Sequence, residues 1–543
     1  MTNSSVDAMA LVLGMMLATV LLVGVGERIN RPYPVLVLLI GAALALIPGV
    51  PRLHIDPNLI LPLFLPPLIY AAAQRISWRL LWDRRRSVVM LAGVLVLVTI
   101  AAVTATAKAI VPGVTGAAAV ALGALASPPD PVAAESVAGP LGLPRRLLTT
   151  LQAEGLCNDA TALVVYGLAV QFITGDRYPV WEAVPRFAYE AAAGVAAGLA
   201  VAWLLRKLLA MVAETTARSG LTLIVPFACY LLASGIHASG VLAVLAAGLF
   251  FAPRADDEGE VADRLSGGAF WDTIELLITG AAFALIGLEL RDVLDTHVDV
   301  VPTIGPAAVI CGVVIAVRFA WLMAGGPLVR RIASQERSSG RNWREDLVLA
   351  WCGMRGLATI ALALALPSST PARGTLLLIT FGIILATLVL PGLTLPWLVN
   401  GLGVKADRDA EEAAVHAVAK RAAKASLARL RELDALDDLP AEVSEPLRRR
   451  QQRMVLMLSG DAAAVGPSGS SGSPADPERA ADPDYRAKLA ERAKQHKQIE
   501  TVFAEMLAAA RQEVLRARTE PGTDPAAADN VLRQLDLRSA HLL

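Results

Sequence analysis

Two aspartates, Asp130 and Asp159, lie in segments that are otherwise apolar enough to span a membrane. A charged side chain at the centre of a bilayer costs ~3–10 kcal/mol unless it is paired, protonated or hydrated. Between the two segments, Pro144, Arg145 and Arg146 form a polar turn. Asp130 precedes Arg145 by 15 residues and Asp159 follows it by 14, so antiparallel helices would hold both carboxylates ~21 Å above the turn. We therefore predict that the two carboxylates meet near the middle of the membrane and bind a small cation or a proton.

The helix that carries Asp130 is predicted to be broken. Pro128, Pro129 and Pro131 lack a backbone N–H, so carbonyls four residues earlier, those of Ala124, Leu125 and Ser127, lose their helical partners. Unpaired carbonyls at that depth are tolerated only where they face protein or water. Broken helices at the midplane recur in transporters, and carbonyl and carboxylate oxygens suit hard cations. The sequence therefore predicts an oxygen-lined cation site at this break.

The composition predicts an all-α polytopic membrane protein, because 55% of the 543 residues are hydrophobic and only 18% are charged. The formal net charge is zero, so the charge gives no reason to expect nucleic-acid binding. Apolar windows of about 20 residues predict about thirteen spans, at 8–26, 33–49, 57–74, 87–108, 113–141, 146–173, 183–205, 219–236, 239–253, 269–290, 302–325, 346–367 and 374–400.

The loops after odd-numbered spans contain most of the arginine and lysine residues between spans, which makes those loops cytoplasmic by the positive-inside rule. The N-terminus is then outside and the C-terminal tail is cytoplasmic. We predict a transmembrane domain over 1–402 and a cytoplasmic helical tail over 403–543, because the tail contains alanine-rich, charge-laced stretches. A Gly/Ser/Pro-rich linker near 460–484 is predicted to be disordered.

The twelfth predicted span contains a buried arginine, Arg355, which needs a partner in the membrane. If spans 1–6 and 8–13 are inverted repeats, this span corresponds to the broken fifth span. Arg355 and Glu154 each lie nine residues into their spans, ~14 Å deep, so we expect these two side chains to pair as a structural brace. Glu135 is an alternative partner at a similar depth, and Arg318 is a second buried arginine.

Four stretches resemble the sodium/proton antiporters of the NhaP and NHE branch of the monovalent cation/proton antiporter family. They are SPPDPVAAESVAGPLGLPRRLLTTLQAEGLCNDATALVVYGLAV, FWDTIELLITGAAFALIGLEL, AVRFAWL and WCGMRGLATIALALALP. The resemblance covers about residues 10 to 400. It implies two inverted six-helix repeats with crossed broken helices, a homodimer, and alternating-access exchange of Na⁺, or of Li⁺ or K⁺, for H⁺.

Carried onto this sequence, the resemblance places the Asn-Asp pair of the family at Asn158 and Asp159, with the second acid at Asp130. Pro129 and Ser127 could supply further oxygens. The bracing pair falls on Glu154 and Arg355. The Asn-Asp form implies electroneutral, one-for-one exchange for pH and sodium homeostasis at the plasma membrane, by a transporter and not an enzyme. No cofactor is expected, since Na⁺ and H⁺ are the substrates, and the tail could bind a regulatory factor.

This chain departs from the pattern at three positions, one of which is Gln152, where many members have an acid. Gly155 stands where many members have serine, and Pro129 stands where many have threonine. Both changes remove a hydroxyl that could bind the ion, so we expect them to affect ion selectivity and affinity and not the reaction class.

Three other interpretations remain open on the sequence. An ion channel or ion-sensing receptor could use the tail as a signalling module, and paired intramembrane aspartates also occur in aspartyl proteases, where two carboxylates share a proton. Asp159 follows an asparagine, which is not the sequence context of such proteases. The two aspartates could also merely cap or brace helices.

Overall fold

The computed structural model describes residues 2–29, 31–48, 50, 57–75, 88–175, 180–212, 214–251, 261–295, 300–325, 342–406, 408–437, 445–448, 483–520 and 522–540. These residues form helices and connecting turns, with no strand among them, and the predicted all-α class is confirmed. They cluster into two compact units, one of residues 1–252 and 270–406 and one of residues 253–269 and 407–543. Most of the predicted disordered linker, residues 460–482, lies outside the described residues.

The first unit begins with seven α-helices: α1 (Thr2–Ile29), α2 (Tyr33–Ala45), α3 (Pro57–Arg75), α4 (Val96–Ile110), α5 (Gly116–Ala126), α6 (Pro131–Ala138) and α7 (Arg145–Thr174). The chain continues with α8 (Val180–Leu209), α9 (Thr215–Gly235), α10 (Gly240–Phe251), α11 (Val261–Leu288), α12 (Leu290–Leu294), α13 (Val300–Ala320), α14 (Trp343–Trp351), α15 (Leu357–Leu364), α16 (Arg373–Ile384) and α17 (Leu390–Leu402). Val89–Leu95, Trp321–Gly325 and Leu385–Val389 are π-helical.

Six helical segments of the described chain are long and apolar enough to cross a membrane: Val89–Ile110, Ala188–Leu209, Thr215–Gly235, Gly267–Leu294, Val300–Ala324 and Arg373–Leu402. Shorter apolar helices occur at Tyr33–Ala45, Leu59–Arg75, Thr161–Thr174 and Gly240–Phe251. Each predicted span overlaps one or more of the helices, while the number of membrane crossings stays a prediction.

Two of the predicted spans are broken in the middle. The fifth is divided into α5 and α6, because the prolines at 128, 129 and 131 interrupt the ladder of backbone hydrogen bonds. Pro131 then starts α6, where the missing N–H costs nothing. The twelfth is divided into α14 and α15, and Gly356 precedes α15 with an extended backbone that is not helical.

The second unit contains α18 (Arg408–Asp437), α19 (Pro483–Thr519) and α20 (Pro525–Ala540). These helices share an apolar core, in which Ala422, Met506, Ala510 and Val531 are fully or almost fully buried. Charged pairs surround this core, including the contacts of Arg421 with Glu513 and Glu520.

Candidate ion-binding site

The two breaks meet at Asp130. The backbone N–H of Asp130 donates to the Met354 carbonyl at 2.7 Å, and the N–H of Leu357 donates to Asp130 Oδ2 at 3.1 Å. Since Met354 lies in the second break and Leu357 begins α15, these bonds hold the two broken helices against each other. The crossing predicted from the resemblance is therefore present.

Asp130 caps both half-helices that start at the crossing. Its Oδ1 accepts from the N–H groups of Val132 and Ala133 at 2.9 and 3.1 Å, in addition to the bond from Leu357. A carboxylate at a helix N-terminus is stabilised by the free N–H groups and by the helix dipole. The carboxylate oxygens of Asp130 thus face the positive ends of α6 and α15.

Gly356 is required for this crossing, because a Cβ atom added there would overlap Oδ2 of Asp130 and lie 2.8 Å from its Cγ. A backbone carbon can approach the carboxylate this closely only where no side chain intervenes. The position of Asp130 therefore depends on a glycine in the other broken helix.

Asp159, on α7, is buried and lines a cavity beside Asp130. Within the described part of the chain, its carboxylate has no hydrogen-bond partner, whereas that of Asp130 has three. The cavity volume of about 30 Å³ is enough for a water molecule or a small dehydrated ion. The two aspartates predicted to meet at mid-membrane therefore do share a cavity. They differ in that the Asp130 carboxylate accepts hydrogen bonds and the Asp159 carboxylate accepts none within the described chain.

Most of the cavity wall is apolar. Its lining residues are Leu65, Leu68, Ile69, Ala72, Pro128, Pro129, Asp130, Pro131, Val132, Gly155, Asp159, Gly356, Leu357, Ala358 and Thr359. Thr359, in the first turn of α15, is the site residue that the sequence analysis missed. A threonine in an apolar span resembles ordinary helix interior, so only the start of α15 at Leu357 could have indicated its position.

Asn158 and Ser127 take different positions from those expected of ion ligands. Asn158 is fully buried, and its Nδ2 donates to the Pro129 carbonyl at 2.9 Å, while its Oδ1 has no partner among the described residues. The Ser127 hydroxyl donates to the Ala124 carbonyl at 3.0 Å. Neither residue is among those described as lining the cavity, whereas Pro129 is.

The expected pairing of Glu154 with Arg355 is wrong, because Glu154 binds Arg318. The guanidinium of Arg318 contacts both carboxylate oxygens, with Nη2 to Oε2 at 2.9 Å, and both side chains are almost fully buried. Equal depth was a poor guide because it does not fix which neighbouring helix faces the acid. Gly353 makes room for Arg318, since a Cβ there would lie 2.6 Å from Arg318 Nε.

Arg355 instead binds the broken backbone. Its Nε donates to the Ala126 carbonyl at 3.0 Å and its Nη2 donates to the Ser127 carbonyl at 3.3 Å, and it also contacts the Gly353 carbonyl. A cation is favoured at the C-terminal end of a helix, here that of α5. Protein groups therefore bind several of the carbonyls near the break. The site has fewer free carbonyls for a cation than we predicted from the positions of the prolines.

Glu135, the alternative partner considered for Arg355, lies with other side chains. Its Oε1 accepts from Gln152 Nε2 at 2.9 Å and lies 3.8 Å from an Arg75 nitrogen. Arg75 also binds Asp272 and Glu275.

The absence of a side chain at Gly155 has a structural reason. A Cβ atom there would overlap the ring of Pro131 and lie 2.6 Å from its Cγ. A serine at this position would require α7 and the broken helix to move apart. Gly155 on α7 is therefore packed against Pro131, the first residue of α6.

Comparisons with known proteins identify relatives along most of the chain. The transmembrane family of sodium/hydrogen exchangers matches residues 15–401. An uncharacterized Na⁺/H⁺ exchanger of Mycobacterium tuberculosis is 33% identical over 466 residues, covering 83% of this chain and 84% of that protein. The low-affinity Na⁺/H⁺ antiporter NhaS1 of Synechocystis is 28% identical over 424 residues, covering 78% and 79%.

A solved structure has a similar fold. The sodium proton antiporter MjNhaP1 from Methanocaldococcus jannaschii superimposes with a TM-score of 0.57 and 20% sequence identity, covering 74% of this chain and 99% of that one.

Proposed function

Because this chain belongs to the sodium/hydrogen exchanger family, we propose that it exchanges one Na⁺ for one H⁺ at the Asp159 carboxylate. The protein is a multi-pass membrane antiporter, and thus a secondary transporter and not an enzyme. The bonding state of Asp159 supports the proposed site: it lines the cavity, and its oxygens are unpaired within the described chain. A proton or a sodium ion can use those oxygens, but both cannot do so together.

The burial of Asp159 supports obligatory exchange. Its protonated and sodium-bound forms are neutral, whereas the empty form carries a charge in an apolar cavity next to Asp130. Burying an uncompensated carboxylate is strongly unfavourable. The site would therefore switch between the two sides of the membrane only with a sodium ion or a proton bound, and not when it is empty. This restriction couples the two fluxes.

The hydrogen bonds of Asp130 support one-for-one stoichiometry. Three backbone N–H groups and two helix N-termini stabilise its charge, so Asp130 would stay ionised while Asp159 exchanges its ligand. One Na⁺ would then replace one H⁺ in each cycle. Asn158 would hold the broken helix through the Pro129 carbonyl without adding a second titrating group.

We place the protein in the plasma membrane as a homodimer, with the N-terminus outside and the tail over 403–543 in the cytoplasm as a site for a regulatory factor. The loops after the odd-numbered predicted spans contain most of the arginine and lysine residues, which supports this orientation. The two broken helices, one in each predicted repeat, would expose the site alternately to the two sides. Its role would be pH and sodium homeostasis, with Na⁺ as the main cation and Li⁺ or K⁺ as further substrates.

The test uses purified protein in liposomes that contain a pH-sensitive dye, with the membrane potential clamped at different values. We expect saturable Na⁺-driven proton movement that does not change with the clamped potential. Asp159→Asn should abolish this movement, while the matched variant Asp272→Asn, at an exposed aspartate of the same unit, should retain it. Each variant is first compared for yield and elution as a single species.

Three outcomes would contradict the proposal. Vigorous exchange by Asp159→Asn would remove the site assignment, and exchange that varies with the clamped potential would remove the one-for-one stoichiometry. Passive Na⁺ flux without saturation or proton counter-movement would favour a channel. The same liposomes tested with each alkali cation would rank Na⁺, Li⁺ and K⁺ as substrates.

A further inference from the structure

We propose that the Thr359 hydroxyl is a ligand of the transported Na⁺, supplied by the second broken helix. This inference rests on the proposed function of the cavity, because it names a further residue of the same ion site. Among the residues described as lining the cavity, only Asp130, Asp159 and Thr359 have oxygen in their side chains. The others are alanine, leucine, isoleucine, valine, proline and glycine.

The hydroxyl of Thr359 is free to bind an ion. Three buried threonines in α-helices of this chain, Thr19, Thr99 and Thr380, donate to the carbonyl four residues earlier at 2.7–2.9 Å. For Thr359 that residue is Arg355, which lies in the break before α15. Within the described part of the chain, the Thr359 hydroxyl has no hydrogen-bond partner, although the residue is only 1% exposed.

An unpaired buried hydroxyl is unfavourable unless something in the cavity binds it. A sodium ion is suited to this role, since hard cations prefer oxygen ligands, and so is a water molecule when the ion is absent. A threonine hydroxyl can also donate a hydrogen bond to the Asp159 carboxylate or to that water when no Na⁺ is bound.

The Asp130 carboxylate and the Pro129 carbonyl are already bonded to protein groups. The oxygens of Asp130 accept three backbone N–H groups, and the Pro129 carbonyl accepts from Asn158. Gly155 offers no side chain. Asp159 and Thr359 are therefore the described cavity side chains whose oxygens have no protein partner, and they come from α7 and α15.

Thr359→Val tests this role, because valine has the shape of threonine without the hydroxyl. We expect the KM for Na⁺ to rise about tenfold, with the maximal rate at saturating Na⁺ kept within about twofold. Thr359→Ser keeps the hydroxyl and should stay near the wild-type KM. The matched control is Thr380→Val, at a buried threonine whose hydroxyl is bound within its own helix, and it should leave the KM unchanged.

A second measurement does not depend on turnover. Na⁺ that binds the folded protein raises its melting temperature in detergent, and Thr359→Val should need about tenfold more Na⁺ than wild type for half of that rise. Wild-type KM and wild-type Na⁺ response in Thr359→Val would overturn the proposal. Equal losses in Thr359→Val and Thr359→Ser would also overturn it, because they would indicate a packing role.

The two proposals fail in different ways. If the wild-type protein does not exchange Na⁺ for H⁺, the proposed function fails. If it does, and Thr359→Val matches it in both measurements, only the role of Thr359 fails.

Discussion

Removing the charge of Glu154 should destabilise the protein strongly, through Arg318 and not through Arg355. Glu154→Gln would leave the Arg318 guanidinium without the carboxylate that contacts it through two nitrogens. Arg318 and Glu154 are 3% and 1% exposed, so water cannot replace the lost partner. Breaking such a buried pair from one side costs about 3–5 kcal/mol.

A double-mutant cycle identifies the partner. Glu154→Gln and Arg318→Met should each lower the stability, and the double variant should lose less than the sum, by about 2–3 kcal/mol. The equivalent cycle of Glu154→Gln with Arg355→Met should show a smaller coupling, because Arg355 donates to backbone carbonyls and not to Glu154. The variant Arg355→Met alone should still lower the stability, because it leaves the Ala126 and Ser127 carbonyls at the break without a partner.

The assay is thermal unfolding in detergent, followed by the fraction that still elutes as a single species after heating. Because such unfolding is irreversible for many large proteins, all variants are compared at one heating rate. We expect both single variants to melt several degrees below wild type and the double variant to recover part of that loss. A larger recovery for Glu154 with Arg355 than with Arg318 would refute the pairing and the reasoning from burial.

Two further predictions concern the crossing and the tail. Gly356→Ala should lower Na⁺-driven proton movement at least about tenfold in liposomes, because the new methyl group overlaps the Asp130 carboxylate. The control variant Gly382→Ala should stay active, because its Cβ would lie at an ordinary distance of 3.6 Å from the nearest neighbouring atom. In the tail, the hydrogen bonds from Arg421 lower the pKa of Glu520 below its ordinary value of 4.5. The pair therefore stabilises the packing of α18 against α19 at pH values above 4.5. This stabilisation is lost as the pH falls through the lowered pKa. Hydrogen exchange at 510–520, corrected for its intrinsic pH dependence, should therefore show a loss of protection at low pH that is smaller in Arg421→Gln.

The sequence could predict the breaks because their cause is local. A proline has no N–H wherever the chain folds, so three prolines within four residues predict the end of α5. The shared cavity of Asp130 and Asp159 also follows from a local rule, since residues at equal distance from a tight turn lie at equal depth. These two inferences needed no knowledge of the other half of the protein.

The partner of Glu154 could not be predicted in the same way. Depth fixes only one coordinate, and the helix that faces Glu154 is set by packing among elements far apart in sequence. Arg318 lies 164 residues from Glu154, and its approach depends on the missing side chain of Gly353. Thr359 was missed for a related reason, because its hydroxyl is unpaired only if the helix begins where α15 does.

The different bonding of the two aspartates bears on how the crossing can survive a transport cycle. If Asp130 lost its charge each time an ion left, the N–H groups of Val132, Ala133 and Leu357 would face a neutral acid, and the bonds that join α6 to α15 would weaken in every cycle. A charge that stays on Asp130 would keep the crossing intact while Asp159, which makes no such bonds in the described chain, exchanged the proposed ligand. We infer that separating the structural charge from the exchanging charge allows the site to empty without disrupting the two broken helices that form it.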